Sequence, residues 1–414
     1  MRVIIAGGGI GGFALALSLH ERGIACDVYE QSSQIHELGV GINTLPHAIK
    51  ELADLGLLEA LDNVAIRTKD LTYVNRFGQV IFSEPRGLDA GYDIPQFSIH
   101  RGHLQGVLYQ ASAERIGNDH IHTGHKLARY SQDENGVTAT FVDGRTGKDL
   151  GTQRCDVLIG ADGIHSAIRA QMYPNEGPPT WNGIMLWRGA VDWEPFLSGL
   201  SMVIAGDMLE KVVLYPIAKG EKPGTNLLNW AVAVRLGDGT SPPPNREDWN
   251  REGTLDDLMP HVQRFDIPYM DVIKMIEATE TFYEYPMCDR DPLPKWNDGR
   301  VTLMGDAAHP MYPVGSNGAS QAILDARALA RVLDEESSVD AALAAYEADR
   351  LPKTTEIVKI NRKGGPERVV DVVSERAPDG FDRLEDVIDP EELVAITKGY
   401  QQLAGFDKNS LADD

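Results

Sequence analysis

Arg2-Val3-Ile4-Ile5-Ala6 runs straight into Gly7-Gly8-Gly9-Ile10-Gly11-Gly12. Phe13 to Arg22 then carries apolar residues at helical spacing, and Gly23 stops it. Cys26–Glu30 follows as a second short run ending on an acid. β-Branched runs of this kind suit buried parallel strands. The order therefore predicts strand, turn, helix and strand within about 30 residues, a β-α-β unit. Gly7, Gly9 and Gly12 satisfy the G-x-G-x-x-G spacing, which serves a tight turn, close backbone approach to a pyrophosphate and close helix–strand contact. The helix offers free N–H groups and its positive dipole end to phosphate. Glu30, at the end of the second strand, is placed to accept hydrogen bonds from ribose hydroxyls and to repel a 2′-phosphate. FAD and NAD both fit this unit.

Val3–Leu19 carries no charge, but the glycines in its middle and its shortness argue against a signal peptide or a membrane span. Cys26, Cys155 and Cys288 are odd in number and far apart, which excludes a disulfide framework and fits a reducing compartment. A soluble cytoplasmic protein is expected. Its 414 residues suggest two domains. A net charge of −23 repels phosphate backbones and anionic lipid, so neither nucleic acid nor membrane is an expected partner. Any anionic small ligand needs a local positive site.

Outward from the glycine turn, Pro46–Leu61 and Leu104–Arg115 read as helices and Leu71–Ser83 as a hairpin around Phe77-Gly78. Lys126–Tyr130 and Val137–Asp143 read as paired strands turning at Glu134-Asn135-Gly136. From Gly177 to Met287 the texture changes, with tryptophans, prolines and the short runs Gly183–Val191, Lys211–Ile217 and Leu227–Val234. Arg300–Met304 returns to the buried-strand pattern, and Gln321–Leu333 and Val339–Arg350 are helical. The expected fold is α/β: a Rossmann-like nucleotide domain with a parallel sheet, interrupted by a mostly antiparallel substrate domain. Residues 1–70, 98–176 and 288–360 are assigned to the first, 71–97 and 177–287 to the second. Residues 361–414 form an acidic helical segment with no chemical signature.

Two later segments bear on which nucleotide binds. Asp156–Arg169 is a strand, a turn at Ala161-Asp162-Gly163 and a helix start; Gly299–Gly318 is another, through Gly305-Asp306-Ala307-Ala308-His309-Pro310 and Pro313-Val314-Gly315. Together with the glycine turn they match, in order and spacing, the FAD-dependent aromatic hydroxylases, the single-component class A flavoprotein monooxygenases. The resemblance runs to about Arg350. Gly39-Val40-Gly41-Ile42-Asn43, Ser98-Ile99-His100-Arg101-Gly102, Trp187-Arg188-Gly189, Tyr285-Pro286-Met287 and Asn317 to Asp325 resemble the phenazine-type members in particular.

The resemblance implies roles. Gly7, Gly9 and Gly12 hold the FAD pyrophosphate and Glu30 the adenosine ribose. Arg101 reaches the pyrophosphate and ribityl side, and Asp162 bears on both FAD and the nicotinamide. Asp306 bonds the ribityl chain, and Pro313 lines the flavin face where oxygen reacts. Gly318 and Ala319 open a helix facing the flavin carbonyl next to N1, where a helix N-terminus stabilises the anion of reduced flavin. Asn317 and Ser320 stand where the family often has Gln and Asn. The implied reaction uses NADH, rather than NADPH, and O2 to hydroxylate an aromatic or heteroaromatic acid such as a phenazine carboxylate or hydroxybenzoate through a flavin hydroperoxide. Carbon dioxide leaves if the attacked carbon bears a carboxylate.

Bland alternatives stand beside these roles. Asp162 and Asp306 also suit turns, and His309 a structural hydrogen bond. Trp187, Tyr215 and Tyr285 are core or the stacking walls of a flat substrate. Arg188 is a carboxylate clamp or a surface salt bridge. His100, His103, His120, His122 and His125 lack the carboxylate or cysteine spacing of a metal site, so no metal is expected. A homodimer is admitted, with the acidic C-terminal segment available to a second subunit. Rivals are a non-hydroxylating flavin reductase or dehydrogenase of the same fold, a nucleotide-binding scaffold, and an NAD-dependent dehydrogenase, which leaves the two later motifs unexplained.

Overall fold

The computed structural model describes residues 1–35, 40–244 and 251–407, so Gly39 of the Gly39–Asn43 run lies outside the described residues. Five parallel strands form one sheet, in the spatial order Val301–Leu303, Val157–Gly160, Arg2–Ala6, Ala25–Tyr29 and Ile121–His122. Val3, Ile4 and Ile5 in the middle strand are fully buried, because helices cover both faces of a parallel sheet. The helix Ile10–Glu21 packs against the helix Gly318–Glu335. The strand Val301–Leu303 completes this sheet after a long excursion of the chain into a second one.

That second sheet has seven strands, in the order Phe282–Asp289, Thr180–Trp193, Asn226–Arg235, Glu210–Lys219, Ser201–Gly206, Asp70–Val74 and Val80–Pro85. All neighbours are antiparallel except Asp70–Val74 beside Ser201–Gly206. Its two faces bury different clusters, since successive side chains alternate. One face holds Trp187, Trp230, Val212 and Leu214. The other holds Ile184, Leu186, Tyr285 and Met287.

Several elements differ from expectation. Pro46–Leu61 is two helices, Pro46–Asp54 and Leu58–Val64, because Gly56 takes a left-handed φ of 73° between them. The helix from Val339 continues through Pro352 to Asn361. Asp149–Cys155 is a strand the sequence pattern did not show; its side chains are exposed up to Cys155, so no apolar alternation marks it. Residues beyond 361 pack on their own chain: Val369, Val370, Val373 and Leu393 bury against Leu71, Tyr73, Ile81 and Met202 of the seven-stranded sheet. No described helix is long and apolar enough to cross a membrane.

Candidate active site

The glycine turn is shaped by backbone contacts that exclude side chains. Gly7 has φ 116°, and an added Cβ there would run into the Ala161 carbonyl; one at Gly12 would run into the Gly7 carbonyl. At Gly9 a Cβ would meet nothing within 4 Å. Gly7 and Gly12 therefore serve strand–helix packing, while Gly9 leaves open backbone facing a cavity. Gly9, with no side-chain cap, starts the helix Ile10–Glu21, whose first N–H groups have no helical partner.

The cavity holds about 350 Å³ between the two sheets. Gly9, Gly11, Arg101, Gly163, Gly305, Asp306, Pro313, Gly318 and Ala319 line one side; Leu186, Arg188, Val213, Tyr215, Tyr285 and Met287 line the other. Residues from eight separated stretches of sequence thus converge. Gly318 begins a second helix aimed at the cavity; a Cβ there would meet only Met311, at 3.8 Å, and Asn317 provides no side-chain cap. Two open helix N-termini and a guanidinium suit a diphosphate-bearing, partly anionic group. Among the described residues no side chain hydrogen-bonds the Arg101 guanidinium, which leaves it to the cavity. The open backbone at Gly9 and Gly318 fits FAD.

Asp306 follows the strand Val301–Leu303, and its side chain is exposed to the cavity while its neighbours are buried. The protein that encloses the cavity desolvates its carboxyl and pushes it up from the ordinary value, and His309 and Arg101 pull it back. Its neighbour Gly305 donates its N–H to Asp325 at 2.9 Å, and His309 Nε2 meets the same carboxylate at 2.6 Å. His309 is therefore committed to a structural bond. Arg350 Nε donates to the other oxygen of Asp325 at 2.8 Å. Sequence reading gave Asp325 no role; an acid on the buried stripe of Ala322, Ala326 and Leu329 was the available signal.

Besides Gly7 and Gly12, the two assigned acids Glu30 and Asp162 stand back from the cavity. Glu30 accepts the Gly8 N–H at 2.7 Å and the Ser32 N–H at 2.8 Å, so it braces the glycine turn. Asp162 accepts the Ala167 N–H at 2.8 Å, while its other oxygen is buried without a partner among the described residues. Burial pushes its carboxyl up. Its neighbours Ala161 and Gly163 are the cavity-lining members of that turn.

On the substrate sheet, alternation separates neighbours. Ile184, Leu186 and Arg188 face the cavity. Trp187 points to the opposite face, where its indole N–H donates to Glu284 at 3.1 Å and its ring stacks on His261. Trp187 and Arg188 are adjacent on one strand and cannot share a wall. Arg188 is buried, not a surface salt bridge: its guanidinium carbon sits 4.6 Å from the Tyr285 ring centroid. Burial lowers its pKa from the usual value and raises that of Tyr285. Tyr215 donates its hydroxyl to the Gly41 carbonyl at 2.8 Å, and burial keeps it neutral. Lys211, paired with Glu367, forms a further charged part of the wall that the sequence did not reveal.

Comparison with known proteins agrees with this arrangement. The FAD binding domain family matches residues 1–201 and 241–361. Phenazine 1,6-dicarboxylic acid hydroxylase PhzS of Lysobacter antibioticus is 40% identical over 407 residues, covering 97% of this chain and 96% of its own. The 3-amino-4-hydroxybenzoate 2-monooxygenase PtnB3 of Streptomyces platensis is 33% identical over 88% of each chain. The crystal structure of Klebsiella pneumoniae HpxO with FAD and uric acid shares the fold, with a TM-score of 0.73 at 24% identity, over 100% of this chain and 95% of that one. Relatives named as hydroxylases and monooxygenases fit oxygen insertion rather than a non-hydroxylating reductase. The chain belongs to the FAD binding domain family and, within it, to the FAD-dependent aromatic monooxygenases.

Proposed function

We propose that the protein hydroxylates a flat aromatic or heteroaromatic carboxylic acid, of the phenazine carboxylate or hydroxybenzoate kind, with NADH and O2. The observation that carries this reading is Arg188, buried against Tyr285 on the wall that faces the Pro313–Ala319 side of the cavity, with Leu186, Val213 and Met287 as apolar neighbours on that wall. A guanidinium on that wall can hold a substrate carboxylate by charge-assisted hydrogen bonds, in a protein whose net charge of −23 otherwise repels anions. Ile184, Leu186, Val213 and Met287 exclude water from the ring around it.

FAD, when bound, supplies the reduction by nicotinamide and the activation of dioxygen. Gly9, Gly11 and Arg101 would hold its diphosphate, Asp306 its hydroxylated chain, and the helix opening at Gly318 its anionic edge. Gly7, Gly12, Glu30 and Asp162 shape the turns that present these groups. Pro313 has no N–H, so it adds no backbone donor at its own position on the facing wall. His309 and Tyr215 are both tied by hydrogen bonds, so activation of the ring rests on the substrate's own substituents. NADH is preferred over NADPH because a 2′-phosphate adds negative charge to an already negative surface. A clear rate preference for NADPH would reverse that choice.

The test is a substrate panel scored by substrate-stimulated NADH oxidation together with product mass. Stimulation without oxygen in the product identifies an effector and sinks the assignment for that compound. A purified protein that is colourless and takes up no FAD sinks the whole reading.

Two substitutions separate the two halves of the cavity. Arg101→Ala removes a charge-assisted contact worth about 1.5–3 kcal/mol, so FAD affinity falls by about 10- to 100-fold. Equilibrium titration of the stripped protein with FAD measures this, and unchanged affinity would place Arg101 elsewhere. Arg188→Met retains the apolar stem and loses the cation. The KM for a carboxylate substrate rises by about tenfold or more, with kcat and FAD content less affected. An equal loss for the matching carboxamide would show that Arg188 does not read the carboxylate.

A further inference from the structure

The turn that faces the cavity between Tyr312 and Asn317 is an unusual stretch of backbone. Gly315 and Ser316 take consecutive left-handed φ values of 68° and 57°. A non-glycine residue in that region is costly and persists only when its surroundings hold it. The surroundings here come from the C-terminal segment that carries no chemical signature. The Tyr400 hydroxyl lies 3.0 Å from Asn361 Oδ1 and 3.3 Å from the Val314 carbonyl oxygen, and accepts from Asn317 Nδ2 at 3.3 Å. Gly315 donates its N–H to Glu367 at 3.2 Å. Asn361 Nδ2 donates to the Tyr312 carbonyl at 3.3 Å. The Tyr400 ring also fills the space that a side chain at position 315 would need. Three side chains thus tie backbone or side-chain groups at Tyr312, Val314, Gly315 and Asn317. Two of them, Glu367 and Tyr400, lie beyond the residues matched by the family.

We infer that Tyr400, with Asn361 and Glu367, is a positioning residue for oxygen transfer: it holds the Pro313–Asn317 turn and the start of the Gly318 helix in register with the cavity. This rests on the flavin-dependent reading of that cavity. A turn released from its anchor admits water and lets the helix N-terminus shift. NADH and a proton then reduce O2 to hydrogen peroxide, giving NAD+ and no hydroxylated product.

Tyr400→Phe keeps the ring and removes only the hydroxyl, so the chain retains its packing against Gly315. The expected result on the holoenzyme is a lower ratio of hydroxylated product to NADH consumed and a matching rise in peroxide. A changed visible circular dichroism of the bound flavin and an FAD affinity about three- to tenfold weaker accompany it. Asn361→Leu, on a different helix, gives the same signature. Leu393→Ala, which opens a buried contact elsewhere in the segment, lowers the melting temperature and leaves the product ratio intact. If Tyr400→Phe matches the parent in product ratio, flavin spectrum and FAD affinity, the positioning assignment is wrong while the flavin reading stands. If Leu393→Ala uncouples as strongly as Tyr400→Phe, the segment acts only through general stability. A parent protein that holds no FAD overturns the earlier reading independently of this one.

Discussion

Gly12→Ala and Gly9→Ala, three residues apart in the same motif, are expected to fail in different ways. At Gly12 the added methyl meets the Gly7 carbonyl, which is backbone and cannot turn aside. Gly7 in turn is pinned against Ala161 with φ 116°. Overpacking of this kind costs about 1–3 kcal/mol or more, and the first helix is displaced from its strand. Gly12→Ala should therefore lower the melting temperature of the stripped protein and abolish flavin retention together. At Gly9 the methyl enters open space. The stripped Gly9→Ala protein should melt with the parent and still lose most of its FAD, because the methyl occupies the approach of the diphosphate. Flavin absorbance per protein and the melting temperature without cofactor read the two effects separately. Equal loss of melting temperature in both variants would show that Gly9 is packed, not open.

The same contrast explains what was legible in the sequence. A glycine turn between two apolar runs announces strand, turn and helix because each residue type answers a local need. Val3, Ile4 and Ile5 are buried on both faces, and continuous apolar runs show that directly. Gly9, Arg101, Asp306, Pro313 and Gly318 converge on one cavity because each lies at or near a strand end or helix start. Of the two readings open for Trp187, core and substrate wall, the structure shows the core, because the two-residue period of the strand puts it on the face opposite Arg188. Glu30 and Asp162 also accept local N–H groups in their turns, contacts that only coordinates reveal. The Tyr400 and Lys211 contacts join residues 86 and 156 positions apart. No local pattern encodes such a pairing. The C-terminal segment has ordinary helical composition, and its importance lies wholly in what it touches.

The buried hub at Asp325 yields the other large effect. Asp325 is fully buried and Arg350 nearly so, at 0% and 6% exposure. Burial alone would raise the Asp325 carboxyl, but His309, Arg350 and the Gly305 N–H outweigh it and hold the group below the usual carboxylate range. Removing one partner of such a cluster leaves an uncompensated charge, at a cost of about 3–5 kcal/mol. Asp325→Asn preserves shape and strands Arg350, so it should destabilise the fold by that order. It also frees the Gly305 turn that aims Asp306 into the cavity, so FAD affinity falls in the variant that still folds. The pH dependence has a definite sign. A carboxyl with a depressed folded-state pKa contributes its full stabilisation above the unfolded value, about 3.9, and loses it as pH falls toward the folded value. The stability gap between parent and Asp325→Asn should stay constant from neutral pH down to about pH 5, then narrow below about pH 4 as the parent alone loses this term. Urea midpoints measured across that range decide it. A gap that already narrows above pH 6 would mean that the charge assigned to Asp325 has to be revised.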